Sequence, residues 1–98
     1  LYYAKTPLGI KIKITEELWD YIVTVKHPSM RNRINDIVKI LSDPMEIRRS
    51  KRDRTVYLYY GKTDLFICAV CKHLDGEGFL ITAYMTDKIK AGEVIWKK

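Results

Sequence analysis

The 98-residue sequence has no apolar run long enough to enter a bilayer. Its longest, Leu65 to Cys71, falls far short of the ~20 residues a membrane helix needs. The opening "LYYAKTPLG" carries no signal-peptide core, and a first residue of Leu rather than Met leaves an upstream segment open. With two cysteines a disulfide framework is out of reach, which points to a reducing cytoplasm. There is no Walker motif and no nucleophile elbow. Internal repeats, linkers and low-complexity tracts are also missing, so residues 1–98 read as a single domain. Cys68-x-x-Cys71 has a redox or zinc spacing on paper. Inside a strand, however, i and i+3 point to opposite faces, and two buried structural thiols are expected.

What the sequence does have is positive charge. Eighteen Lys and Arg stand against twelve Asp and Glu, a net of +6. Most of it sits before residue 55, and "RRSKRDR" (Arg48 to Arg54) is the densest stretch. Such a stretch is either a solvated edge or the footprint of a polyanion, meaning nucleic acid or an acidic partner. A hydrophobic fraction of 47% with seven tyrosines suits a folded chain and argues against disorder.

Hydrophobic period divides the chain near residue 45. Residues 10–14, "IKIKI", alternate as an edge strand with its lysines in water. Thr15 offers an N-cap, with Glu16 and Glu17 in the first turn, and Leu18, Ile22 and Val25 mark a helix over 15–26. Pro28 stops it. Ser29 can cap a second helix over 30–41, whose stripe is Met30, Ile34, Ile37, Val38 and Leu41, with Arg31, Arg33, Asn35 and Lys39 largely off it. From Glu46 the period is two, giving strands near 46–51, 55–60, 64–73 and 78–86 and a weaker one at 93–96. Asp75-Gly76 is a hairpin signal. The expectation is an α+β fold: two N-terminal helices packed on a four- to five-stranded antiparallel sheet.

Alternation along 78–86 puts Phe79, Ile81, Ala83 and Met85 against the helices and Leu80, Thr82, Tyr84 and Thr86 on the far face. If neighbouring strands pair, that far face also collects Arg48, Ser50, Tyr57, Tyr59 and Lys72. A basic, hydroxylated and aromatic surface of this kind suits RNA. His27 ends the first helix, where the helix dipole favours a cationic ring. His73, near a hairpin end, is expected to be exposed.

The blocks "HPSM" (His27 to Met30), "DPMEIRRSKRD" (Asp43 to Asp53), "VYLYY" (Val56 to Tyr60) and "VCKHLDGEGFLITAYMTDKIKAGEVIW" (Val70 to Trp96) resemble the phage-associated branch of the barnase–EndoU–colicin–RelE superfamily. The resemblance spans about residues 10–97. It implies a small metal-independent ribonuclease, the toxin of a toxin–antitoxin or phage-linked system, cleaving RNA through attack of the substrate's 2′-hydroxyl. Its implied catalytic positions are His27, Arg48, Arg49, Ser50, Lys72, Thr82 and Tyr84. His27 would transfer the proton, and Arg48 or Arg49 with Lys72 would hold phosphate charge. Arg33, Lys51, Arg52, Arg54, Tyr57, Tyr59 and Thr86 complete the RNA-binding set. No metal or cofactor is required, and an acidic antitoxin or immunity protein is the expected partner. Two alternatives keep the same residues: a non-catalytic RNA-binding domain, and a basic protein-binding module.

Overall fold

In the computed structural model, residues 1–89 and 92–98 are described. The chain runs through strand β1 (Tyr2–Lys5), β2 (Lys11–Ile14), helix α1 (Glu16–Tyr21), a π turn over Ile22–Lys26 and a 3-10 turn over Pro28–Met30. Helix α2 (Ile34–Ser42) follows, then β3 (Glu46–Arg49), β4 (Val56–Lys62), β5 (Phe66–Leu74), β6 (Glu77–Thr86) and β7 (Glu93–Lys97). The seven strands form one mixed sheet in the order β1-β2-β6-β5-β4-β3-β7. This corrects the expected antiparallel sheet of four or five strands under two full helices. β1 is an added edge strand, and β2 pairs with β6 in parallel. A period of two identifies a strand but carries no information on the direction of its partner.

The helical segment is shorter and more broken than its hydrophobic stripe suggests. Thr15 caps α1 by accepting from the Leu18 amide at 3.2 Å, as its position before Glu16 and Glu17 implies. The α-helix then gives way at Ile22, at the start of the β-branched run Ile22 to Val25. Such side chains crowd the preceding turn, and the Thr24 hydroxyl donates back to the Asp20 carbonyl at 2.6 Å, a contact that bends helices. His27 N–H reaches the Ile22 carbonyl at 2.7 Å, which closes the widened turn. Asn32, at φ 64, keeps the second helix from starting at residue 30. Its apolar stripe nonetheless faces the core: Met30, Ile37, Ile40 and Leu41 are buried, and Ile34 and Val38 pack against them.

The helices lie on one face of the sheet, against Ile12, Ile14, Ile47, Tyr59, Ile67, Ala69, Cys71, Leu80 and Ala83. Gly61 lets α2 sit close, because a Cβ there would overlap Ile40 Cγ1. Asp75 and Gly76, both at positive φ, turn β5 into β6 as the sequence indicates.

A bulge in β6 changes which residues face the core. Val70 pairs with Thr82 and Cys71 with Leu80, so Ile81 is the extra residue. Leu80 and Ala83, three apart, therefore share the buried face. This corrects the strict alternation expected for 78–86. Phe79 is 43% exposed and Leu80 is buried, whereas Thr82, Tyr84 and Thr86 keep the far face assigned to them. One inserted residue reverses every side chain before it relative to those after it.

Candidate functional site

The residues expected to form one polar face divide between two. Cross-strand partners point the same way, so Tyr60, Cys68 and Tyr84 form one row on the far face, and Leu58, Val70 and Thr82 form the next with Arg48. Lys72 continues this face on β5. Tyr57 and Tyr59 do not belong to it. They share the helical face with Cys71 and Ala69, and Tyr59 is fully buried. A phenol can fill a core when its hydroxyl has a partner.

His73 is that partner. Its Nε2 lies 3.0 Å from the Tyr59 hydroxyl, and its ring stacks on Tyr57 with centroids 3.8 Å apart at 11°. The expectation of an exposed His73 is thus corrected: the ring is half-buried, and burial lowers its pKa from 6.5 to about 4. Burial also raises the Tyr59 phenol above its usual range, and the adjacent Thr6 hydroxyl offsets part of that shift. At neutral pH both groups are uncharged and share one hydrogen bond, its direction set by the tautomer of the ring. The signal for this cluster is in the sequence: His73 shares a strand face with Cys71, Ala69 and Ile67.

On the far face, His27 and Tyr84 come together from segments 57 residues apart, with ring centroids 5.8 Å apart and tilted by 41°. Burial, followed by the neighbouring Cys68 and Tyr60, raises the Tyr84 phenol well above its ordinary value. It stays protonated at neutral pH, its hydroxyl hydrogen-bonded with Cys68 and Tyr60. Two positions earlier on the same strand face, Thr82 Oγ1 is buried and finds no partner among the described residues. A buried hydroxyl left so costs roughly 1–3 kcal/mol, and a ligand or water that took the bond would recover it. Arg48 sits across the face, its Nε donating to the buried Glu46 carboxylate at 2.6 Å. Thr86 is occupied in its own turn, its hydroxyl donating to the Lys88 carbonyl at 2.9 Å.

The basic stretch is the β3–β4 hairpin loop, and part of it holds the loop together. Ser50 Oγ accepts from the Arg52 and Asp53 amides at 3.2 and 3.3 Å. The Asp53 carboxylate accepts from the Thr55 hydroxyl and amide at 2.6 and 3.0 Å, which holds its pKa below the usual carboxylate range, with Lys72 adding to it. The Lys72 ammonium lies 3.4 Å from Asp53. Arg49 faces away from Arg48, donating to the Arg54 carbonyl at 3.0 Å with its guanidinium over the Tyr57 ring. Ser50 and Arg49 are therefore turn and scaffold residues, not neighbours of His27. Lys51 and Arg52 stand exposed at the loop tip, and Arg54 faces Glu93 at 3.6 Å. Arg33 begins α2, paired with Asp36 at 3.2 Å.

Cys68 and Cys71 are free thiols, both buried and on opposite faces. Among the described residues no group of three or more His, Cys, Asp and Glu could hold a metal ion, and no helix is long and apolar enough to cross a membrane. No family model, curated protein or solved structure matches this chain.

Proposed function

We propose that the chain is a metal-independent endoribonuclease whose centre is the far face of the sheet around His27, Thr82 and Tyr84. The observation that supports it is the pairing of His27 with Tyr84 beside the unpartnered Thr82 hydroxyl. In this reading His27 takes the proton of the substrate's 2′-hydroxyl. The 2′-oxygen then bonds to phosphorus, the bond to the 5′-oxygen breaks, and the proton returns to that leaving oxygen. The products are a 2′,3′-cyclic phosphate and a free 5′-hydroxyl. Thr82 is suited to hydrogen-bond the phosphate oxygens as their charge grows, and Tyr84, protonated throughout, would have to turn its hydroxyl from Cys68 and Tyr60 to join it. Arg48 and Lys72 lie on the same face and supply positive charge.

A second reading is a non-catalytic RNA-binding domain. It is favoured by the ion pairs of Arg48 with Glu46 and of Lys72 with Asp53, which neutralise part of the charge that catalysis would use. In either case the exposed Lys51 and Arg52 bind phosphate, and affinity falls steeply with salt. Incubating the purified protein with total RNA in a chelator separates the two readings. Cyclic-phosphate ends that vanish in His27→Ala support cleavage, and intact RNA with salt-sensitive binding supports the second reading. As a toxin, the protein would slow growth when expressed alone, and its restraint would be an acidic partner covering the hairpin loop.

A further inference from the structure

The edge of the sheet farthest from β7 carries exposed groups that the proposed centre does not use. β1, β2 and the first half of β6 lie side by side there. Register sets Tyr3 opposite Lys13, Lys5 opposite Lys11, Lys11 beside Glu77 and Lys13 beside Phe79. The alternate residues Ala4, Ile12 and Ile14 are in the core, so the first set points outward, on the face that Lys72 and Thr82 share. Tyr3 is 47% exposed and Phe79 43%.

Between them runs an open groove of about 360 Å³ lined by Tyr3, Lys11, Lys13, Glu77, Gly78 and Phe79. The Lys11 ammonium stands 4.4 Å from the Tyr3 ring centroid, so charge and aromatic face are offered together. With Lys5, three cations face one carboxylate.

We propose that this edge is a subsite for a single-stranded stretch of RNA. Phe79 and Tyr3 stack unpaired bases, and Lys5, Lys11 and Lys13 neutralise the phosphates between them. Rings interleaved with lysines suit a single strand, because every base offers a face for stacking and every linkage a charge. Bases in a duplex are already stacked and cannot use exposed rings. The bulge at Ile81 is what makes the arrangement possible, since it keeps Phe79 on the same face as Thr82. The two lie roughly 10 Å apart at ~3.3 Å per strand residue, so one strand of RNA can reach both. Only that direction of approach rests on the ribonuclease reading; binding at the edge does not.

The test is fluorescence anisotropy with a short labelled 2′-O-methyl oligouridylate, which has no free 2′-hydroxyl and cannot be cleaved. Phe79→Ala should weaken binding about fivefold or more, and Phe79→Trp should restore it. Lys11→Ala with Lys13→Ala should flatten the log–log salt slope by about 1.4, or ~0.7 for each phosphate of a single strand that is no longer neutralised. Affinity for a duplex RNA should not respond to Phe79→Ala. Unchanged oligouridylate affinity in these variants would overturn the proposal. Equal losses on single strand and duplex would overturn the stacking. If the intact protein ignores the oligonucleotide, the subsite is refuted, and the cyclic-phosphate assay still decides the ribonuclease reading separately.

Discussion

Acidification should destabilise this protein through one half-buried ring, His73. The ring gives up water to stack on Tyr57 and to share a hydrogen bond with Tyr59, and its pKa falls from 6.5 to about 4. Between those values the unfolded chain binds more protons than the folded one. The contribution of the neutral ring is therefore complete above about pH 6.5, declines as pH falls, and is exhausted below about pH 4. At ~1.4 kcal/mol per pH unit the interval is worth up to about 3 kcal/mol. The ring is only half-buried, and solvent screening reduces this to about 1–2 kcal/mol. For a domain of this size that corresponds to a fall in Tm of roughly 5–15 °C. Urea denaturation at about pH 7.5 and about pH 4.5 measures it, with His73→Phe as the reference. The variant keeps the stack on Tyr57 and leaves the Tyr59 hydroxyl without its His73 partner. It should be about 1 kcal/mol less stable than the parent at about pH 7.5, and it should lose less than the parent does on going to about pH 4.5. Every other ionisable group is common to both proteins and cancels in the comparison. Parallel pH profiles for parent and variant would refute the reasoning.

Two further substitutions test the packing. Gly61→Ala forces a methyl group into Ile40 and should cost about 1–3 kcal/mol, read from the urea midpoint. Thr15→Ala removes the cap on the Leu18 amide and should cost about 1 kcal/mol, visible as a lower Tm with an unchanged urea m-value.

The helical stripe, the Thr15 cap and the Asp75-Gly76 turn were legible in the sequence because each rests on local spacing or on a residue's own backbone preference. The sheet was legible in its strands but not in its pairing. Nothing in "YYAK" alternates strongly, and only its register against β2, with Ala4 opposite Ile12, makes it a strand. The candidate site was legible in part. Arg48, Lys72, Thr82, Tyr84 and Thr86 share a face as expected, and His27 reaches Tyr84 across the fold. Tyr57 and Tyr59 were expected on that face and lie on the helical one. The Tyr59 hydroxyl is satisfied inside by His73, a pairing between strands that residue type alone does not reveal. The Ile81 bulge escaped for the same reason, since an extra residue shows only against its partner strand.

The central claim is that the far face cleaves RNA without a metal, with His27 moving the proton. It is tested most directly by incubating the parent protein and His27→Ala with an end-labelled single-stranded RNA in excess chelator, then identifying the termini of the products. The account predicts fragments ending in 2′,3′-cyclic phosphate from the parent and a loss of about a hundredfold or more in rate for the variant. Intact RNA with the parent protein, or equal cleavage by His27→Ala, would contradict it.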